Sequence, residues 1–550
     1  MKNRYHILTT ILVGIACFAL CPAPKAFGVV PAPDGGYPGG NTAEGQSALL
    51  SRTTGLYNTA NGIFSLLSLT DGNFNTGVGA GTLLANTGDE NTATGAGALL
   101  SNTLATGSTA DGAFALFSNI AGVANTATGQ RALFSNVTGA ENTADGAFAL
   151  FFNTATGNTA IGSNALLNNT TGGTLGNIQG FDLGPNVAVG WQALESNTVA
   201  SANTAVGYQA LHSFTTGPVG FEQLGLCTAV GFQALGNATG GFGNNAFGYQ
   251  ALLNNVGGAG NNAMGHFALS ANTTGSSNVA IGGIALNHNI GGDANIATGF
   301  GALQNNTDGS NNIAMGVNSL SANMTSDNNT AIGASALQGS AGSGNTALGH
   351  DSGAAVGTAN NVICIGTQGA NVDNSCYIGN IFGATSPGGV AVLVNSDGKL
   401  GTIVSSRRFK EDIKPMDKAS ETILALQPVT FRYKGEFDPT GTAQFGLVAE
   451  EVEKVNPDLV VHEKDGKPYS VRYDQINAML LNEFLKEHKR VEELERTAQH
   501  QQAVIAQQQE SFESKLAAQD KQIEALTSGL QKVSAEIEMR TATSRIVKDR

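Results

Sequence analysis

Two side chains five residues apart, Ser405 and Lys410, lie in the stretch Val404-Ser405-Ser406-Arg407-Arg408-Phe409-Lys410-Glu411-Asp412-Ile413 and could together cut a peptide bond. A serine hydroxyl attacks a carbonyl only when a neighbouring base takes its proton, and a lysine amine can be that base once it is neutral. Free lysine titrates near ~10.4, so a large downward shift is needed. Burial and nearby positive charge both push that way, and Arg407 and Arg408 stand between the pair. Residues five apart on a helix point about 140° away from each other. A turn or an extended bend must therefore bring the two together. The reading is a self-cleavage site with Ser405 as nucleophile and Lys410 as general base. By residue type alone, the stretch suits a solvated basic linker better.

The run Ser405-Ser406-Arg407-Arg408-Phe409-Lys410-Glu411-Asp412-Ile413 resembles the S-D-x-R-x-K-x-D-I signature of the intramolecular chaperone auto-processing family, the self-cleaving C-terminal domains of phage endosialidase tailspikes and other trimeric fibres. Phe445-Gly446-Leu447-Val448-Ala449-Glu450-Glu451-Val452, followed by Asn456-Pro457, is similar to that family's G-x-I-A-Q-E-V segment, and Val471-Arg472-Tyr473-Asp474-Gln475-Ile476 is a third patch. The resemblance covers roughly 405–494. It implies that Ser405, helped by Lys410, cuts the Val404-Ser405 bond. Ser406 stands where the family has Asp, which leaves Ser406 as an alternative nucleophile.

Such a site needs elements to hold it, and the chain changes character there. Of 28 Lys and Arg, only Lys2, Arg4, Lys25, Arg52, Arg131 and Lys399 precede Ser405. Among 550 residues, 73 Gly and 6% aromatics argue against one large packed core. The formal charge of −14 lies mostly before Ser405, so nucleic acid and anionic membranes are not expected partners. Lys2 and Arg4, the apolar run Ile7 to Leu20 and the small residues near Gly28 read as a signal peptide over 1–28, which implies a secreted or cell-surface protein. Cys227, Cys364 and Cys376 then remain; their spacing fits no zinc pattern and their odd number no disulfide framework. Cys364 takes an apolar slot and is expected as a buried thiol.

From Asn41 the chain repeats N-[TVI]-A-x-G-x-x-A-L, and the glycine after each N-x-A-x recurs mostly every 17 residues, sometimes every 16. That is the signature of a solenoid, in which one unit cannot bury its Ala and Leu but stacked units can. Gly and Asn are poor helix residues, so the spacing predicts a mainly β fold: a long β-solenoid over 29–385 with brief strands, similar in type to the β-roll heads of trimeric adhesins. The recurrent Gly suits a tight corner, and Asn91, Asn125, Asn142 and Asn158 suit an internal amide ladder. Thr170 to Asn186 and Ser213 to Leu226 are insertions, expected as surface loops. A crystal-binding face would need an unbroken Thr array, yet the slot becomes Val187, Asn262 and Ile296. Asp111 and Asp145 are expected as solvated turn residues rather than as glycosidase acids.

Residues 386–404 read as a strand-turn linker, and Tyr377-Ile378-Gly379 as a degenerate cap. In the small α/β domain over 405–490, a helix is expected from Ala419 to Leu426, a strand from Val429 to Lys434, a helix from Phe445 to Val455, a hairpin turn at Lys464 to Lys467 and a long helix from Ile476. His462, beside that turn, is expected at the surface. A coiled coil is expected over 491–540, because Val491, Leu494, Ala498, Ile505 and Phe512, then Leu516, Ile523, Leu530 and Ile537 hold heptad spacing across one stutter. Heptads alone leave dimer and trimer open, and the resemblances imply a homotrimer. No cofactor and no metal is expected. The reading is an exported trimeric fibre whose C-terminal domain templates assembly and then cuts itself off, with a surface glycan or receptor as a further partner. Two other classes stay open: an uncleaved surface protein in which that domain only trimerises, and a glycan-degrading fibre.

Overall fold

The computed structural model describes residues 37–178, 180–217 and 220–546; the signal segment expected over 1–28 lies outside them. The chain divides into two compact units, Met1–Ala384 and Thr385–Arg550.

The first unit is a long parallel β-solenoid. Each coil gives one three-residue strand to a 20-stranded sheet, and successive strands pair in register, Thr330 with Thr346 and Ala331 with Ala347 for example. The middle residue of the strand points inward, as Ala60, Ala127 and Ala280 do, and is fully buried together with the Ala-Leu pair after the corner. A glycine column forms that corner for a steric reason. A Cβ on Gly231, whose φ is +137°, would lie 2.4 Å from the carbonyl oxygen of Gly248 in the next coil. After the corner, ordinary residues such as Phe64 and Leu66 take left-handed backbone angles of +58° and +51°. Coil-to-coil bonds hold them there: Phe64 N–H donates to Gln46 O at 2.9 Å and Leu66 N–H to Thr82 O at 2.9 Å.

The amide ladder runs through the core. Asn278 Oδ1 accepts from the backbone N–H of Asn295 at 2.9 Å, while its Nδ2 donates to Gly292 O at 2.8 Å. Cys227 takes one Asn slot, and burial pushes its thiol up to about 11. A second ladder, absent from the sequence reading, lies three residues past the buried Leu: Asn119 Nδ2 donates to Asn102 Oδ1, and Asn136 Nδ2 to Asn119 Oδ1, both at 2.9 Å. It breaks at Asn197, whose Oδ1 is left without a partner because buried Phe214 fills the next slot, and resumes from Asn255 to Asn323.

Three expectations change here. Residues Gly176–Ile178 and Phe181–Leu183 of the first insertion pair as an antiparallel hairpin with Leu183 buried, and the second insertion packs Phe214 and Leu224 inside, so neither is simply a surface loop. Asp111 and Asp145 end strands, exposed on the outer sheet face, rather than sitting in turns. Tyr377 and Ile378, expected with Gly379 as a degenerate cap, belong to Cys376–Ile378, which pairs in register with Ile363–Ile365 as the final parallel strand.

The second unit starts with an antiparallel hairpin, Val392–Val394 with Leu400–Thr402. Two further antiparallel pairs follow, Val429–Phe431 with Gln444–Gly446 and Val460–His462 with Pro468–Val471, the latter closed by the turn expected at Lys464 to Lys467. The helix expected from Phe445 begins only at Ala449, because Phe445 and Gly446 belong to a strand whose exit is fixed by Leu447 N–H donating to the Tyr473 hydroxyl at 3.0 Å. The amphipathic segment from Ala419 is a 3₁₀ helix over Asp417–Ala425. Ile423, Val452, Leu459, Val471 and Ile476 make a small core. The last helix runs from Tyr473 to Ile546, and the heptad residues Leu516, Ile523 and Leu530 lie exposed along it in the single chain.

Candidate functional site

One turn of chain joins the two residues singled out for chemistry. Ser406, next to Ser405, is extended at φ −65°, ψ 141°. Arg407–Phe409 then make a single 3₁₀ turn, closed by Phe409 N–H donating to Ser406 O at 3.0 Å and Lys410 N–H to Arg407 O at 3.1 Å. Lys410 leaves the turn extended, at φ −125°, ψ 138°. Extended arms on either side of a tight turn let an offset of five close, which a continuous α-helix would not. Lys410 Nζ donates to Ser405 Oγ at 3.3 Å.

The Arg408 guanidinium lies 4.5 Å from the centroid of the Phe409 ring, so one of the two intervening cations is turned onto an aromatic face. Ser405, Lys410 and Val404 are all exposed in the single chain. Ser406 caps the turn without a side-chain hydrogen bond, and the lysine bond goes to Ser405. An ammonium so placed is a hydrogen-bond donor; to act as a base it must first lose its proton, and exclusion of water favours that loss.

A second Ser and Lys pair, missed in the sequence, lies in the same unit. The Ser420 hydroxyl is buried and hydrogen-bonded to the Glu483 carboxylate. Asn482 Nδ2 donates to it at 2.7 Å, and Lys486 Nζ lies 3.4 Å from it and 2.7 Å from Glu483 Oε1. The Lys486 ammonium beside Glu483 holds that carboxyl below its ordinary value, and the carboxylate in turn holds Lys486 above its own. A lysine held in its charged form is no base, so this cluster ties the segment Asp417–Ala425 to the long helix rather than doing chemistry. Ser420 lies more than 60 residues from the three helix residues, and no local spacing signals their meeting. His462 is half-buried and paired with Glu453 at 2.8 Å. Among the described residues, no group of His, Cys, Asp and Glu could hold a metal ion, and no helix is long and apolar enough to cross a membrane.

Residues 405–461 match the family described as chaperone of endosialidase. The match begins at Ser405 and ends before the third patch, Val471 to Ile476, so it is shorter than the stretch of resemblance seen in the sequence. No curated protein and no solved structure matches the chain.

Proposed function

We propose that this is an exported homotrimeric fibre protein whose C-terminal domain brings three chains into register and then cuts the Val404-Ser405 bond. A chaperone-of-endosialidase segment following a β-solenoid supports this reading, being consistent with a trimeric, tail-fibre-like protein. The observation that carries the cleavage reading is the 3.3 Å approach of Lys410 Nζ to Ser405 Oγ at the first residue of that segment. In the reaction, Lys410 as neutral amine takes the Ser405 proton while Oγ adds to the Val404 carbonyl carbon. The C–N bond then breaks, the proton passes to the Ser405 amine, and Val404 is left as an ester on Oγ. Water hydrolyses the ester. Association of the chains supplies the burial that a single chain lacks at this site, and so ties cleavage to assembly.

Purified wild type, Ser405→Ala and Lys410→Ala are compared by denaturing gel and N-terminal sequencing. Wild type is expected to yield a fragment beginning at Ser405, and both variants to stay whole. The competing reading, a domain that only trimerises, draws on the exposure of both side chains in one chain. It prevails if assembled wild type also stays whole.

A further inference from the structure

The outer surface of the solenoid exchanges its chemistry partway along. Two columns of outward residues run its length: the last strand residue, just before each corner glycine, and the residue just after each buried leucine. From Glu44 to Asp145 the pre-glycine column is polar and acidic with the single exception of Val78, and Glu44, Thr94, Asp111 and Asp145 are exposed. From Ile161 to Ile378 it is apolar with the single exception of Thr298, and Phe247, Met264, Ile332 and Leu348 lie 38–54% exposed. The post-leucine column does the reverse. It is Leu or Phe from Leu50 to Leu167, with Phe117, Phe134 and Phe151 stacked at 5.1 and 5.0 Å. Beyond the hairpin insertion it becomes Glu195, His212, Asn287 and Gln304, with Leu253 an exception, and Glu195 and His212 are paired at 2.8 Å. Beside the apolar part of the pre-glycine column, Trp191, Tyr208, Phe232 and Tyr249 stack at 4.9 to 5.2 Å and widen it.

From these columns we infer that the solenoid binds further copies of itself through two different faces, the post-leucine column before the 170–186 insertion and the pre-glycine column after it, and that the step between them locks register. The inference rests on the homotrimer proposed above. With strands about 4.8 Å apart, the longer apolar stripe extends roughly 58 Å and at two columns wide covers roughly 600 Å², already at the upper end of what monomers expose. With the shorter stripe it approaches the ~800 Å² per partner of a standard interface.

Charge and periodicity select the occupant. Copies aligned in parallel place like residues together. Facing columns of Glu44, Asp111 and Asp145 would repel, so that column must face water in the first half, where the Leu and Phe column takes over. Any other partner running the full length would have to change its own chemistry at the same coil; a second copy does so by construction. A slip by one coil leaves most contacts unchanged in a uniform repeat. At the step, the same slip sets an acidic coil against an apolar one.

The test is short-span bismaleimide cross-linking of the full chain carrying Cys17→Ser, Cys21→Ser and Cys376→Ser, which leaves only Cys227 and Cys364, both buried. Leu84→Cys and Ile332→Cys lie on the proposed faces; Thr94→Cys and Gln304→Cys occupy the opposite column at comparable coils. Covalent dimers are expected from the first two and at least ten-fold fewer from the controls. Light scattering on each sample separates the failures. A monomer overturns both the homotrimer and the two faces, whereas a trimer whose controls link as well as the test positions, or which links along one column throughout, overturns the step alone.

Discussion

A lysine amine close to a serine hydroxyl is the first requirement of the proposed chemistry, and its neutrality is the second. Ser405 and Lys410 were legible as a pair in the sequence because the family signature begins there; the tight turn between two extended arms was foreseen only as a bend of some kind. The Ser420, Glu483 and Lys486 cluster was not legible, since its parts come from segments joined only by the tertiary fold. That cluster makes a pH prediction. Glu483 has a folded-state value below its ordinary 4.5, so the stability it contributes is complete above that value and is lost as pH falls through the lower, folded one. Lys486, held above 10.5, adds stability that is complete below that value and lost only as pH rises through its higher folded one. Between pH 6 and pH 3, amide exchange in residues 417–425 of wild type is therefore expected to accelerate beyond its intrinsic change, and in Glu483→Gln to show no such added acceleration. Equal acceleration in both would remove the carboxylate from the account.

The elements of the solenoid were readable because one residue type recurs at one place in every coil. Asn recurs where an amide can both accept from the coil on one side and donate to a carbonyl on the other, and Gly where no Cβ fits. Replacing Asn278 by Ala leaves the N–H of Asn295 buried without a partner, while the carbonyl of Gly292 keeps the Asn289 amide at 3.0 Å. At ~1–3 kcal/mol for the one orphaned group, the loss is about 1–3 kcal/mol. Because each repeat contacts only its neighbours, exchange protection should fall in the flanking coils and persist far from them, while exposed Asn305→Ala should change little, within about 0.5 kcal/mol. A uniform loss along the whole stack would instead mean that the coils melt as one body. In the second unit the Phe445 helix was misread because a charged amphipathic run was extended back over two residues whose backbone pairs with Val429 and Thr430. Strand pairing across 15 residues outweighed local propensity there.

At the scale of the whole molecule, the division at Ala384 falls where the repeats end, ahead of the abrupt rise in charged residues at Ser405. Which outward residues face water and which face another chain could not be read before the columns were laid side by side, because the alternation crosses coils rather than running along the chain. The exposed seam of the long helix makes assembly itself testable. Leu516→Glu with Ile523→Glu places like charges along that seam, and is expected to yield monomers by light scattering and, if cleavage follows assembly, an uncut chain on a denaturing gel. Monomers that still cut would uncouple the two events.

Hydrogen bonds between successive coils, made by turn residues as well as by strands, also decide how such a rod meets mechanical load. Tension applied along its axis would act on one layer at a time, peeling the outermost before the next feels the pull. Each layer of 17 residues, once freed, would pay out roughly 55 Å of chain, so the stack would lengthen in steps and absorb work rather than snap.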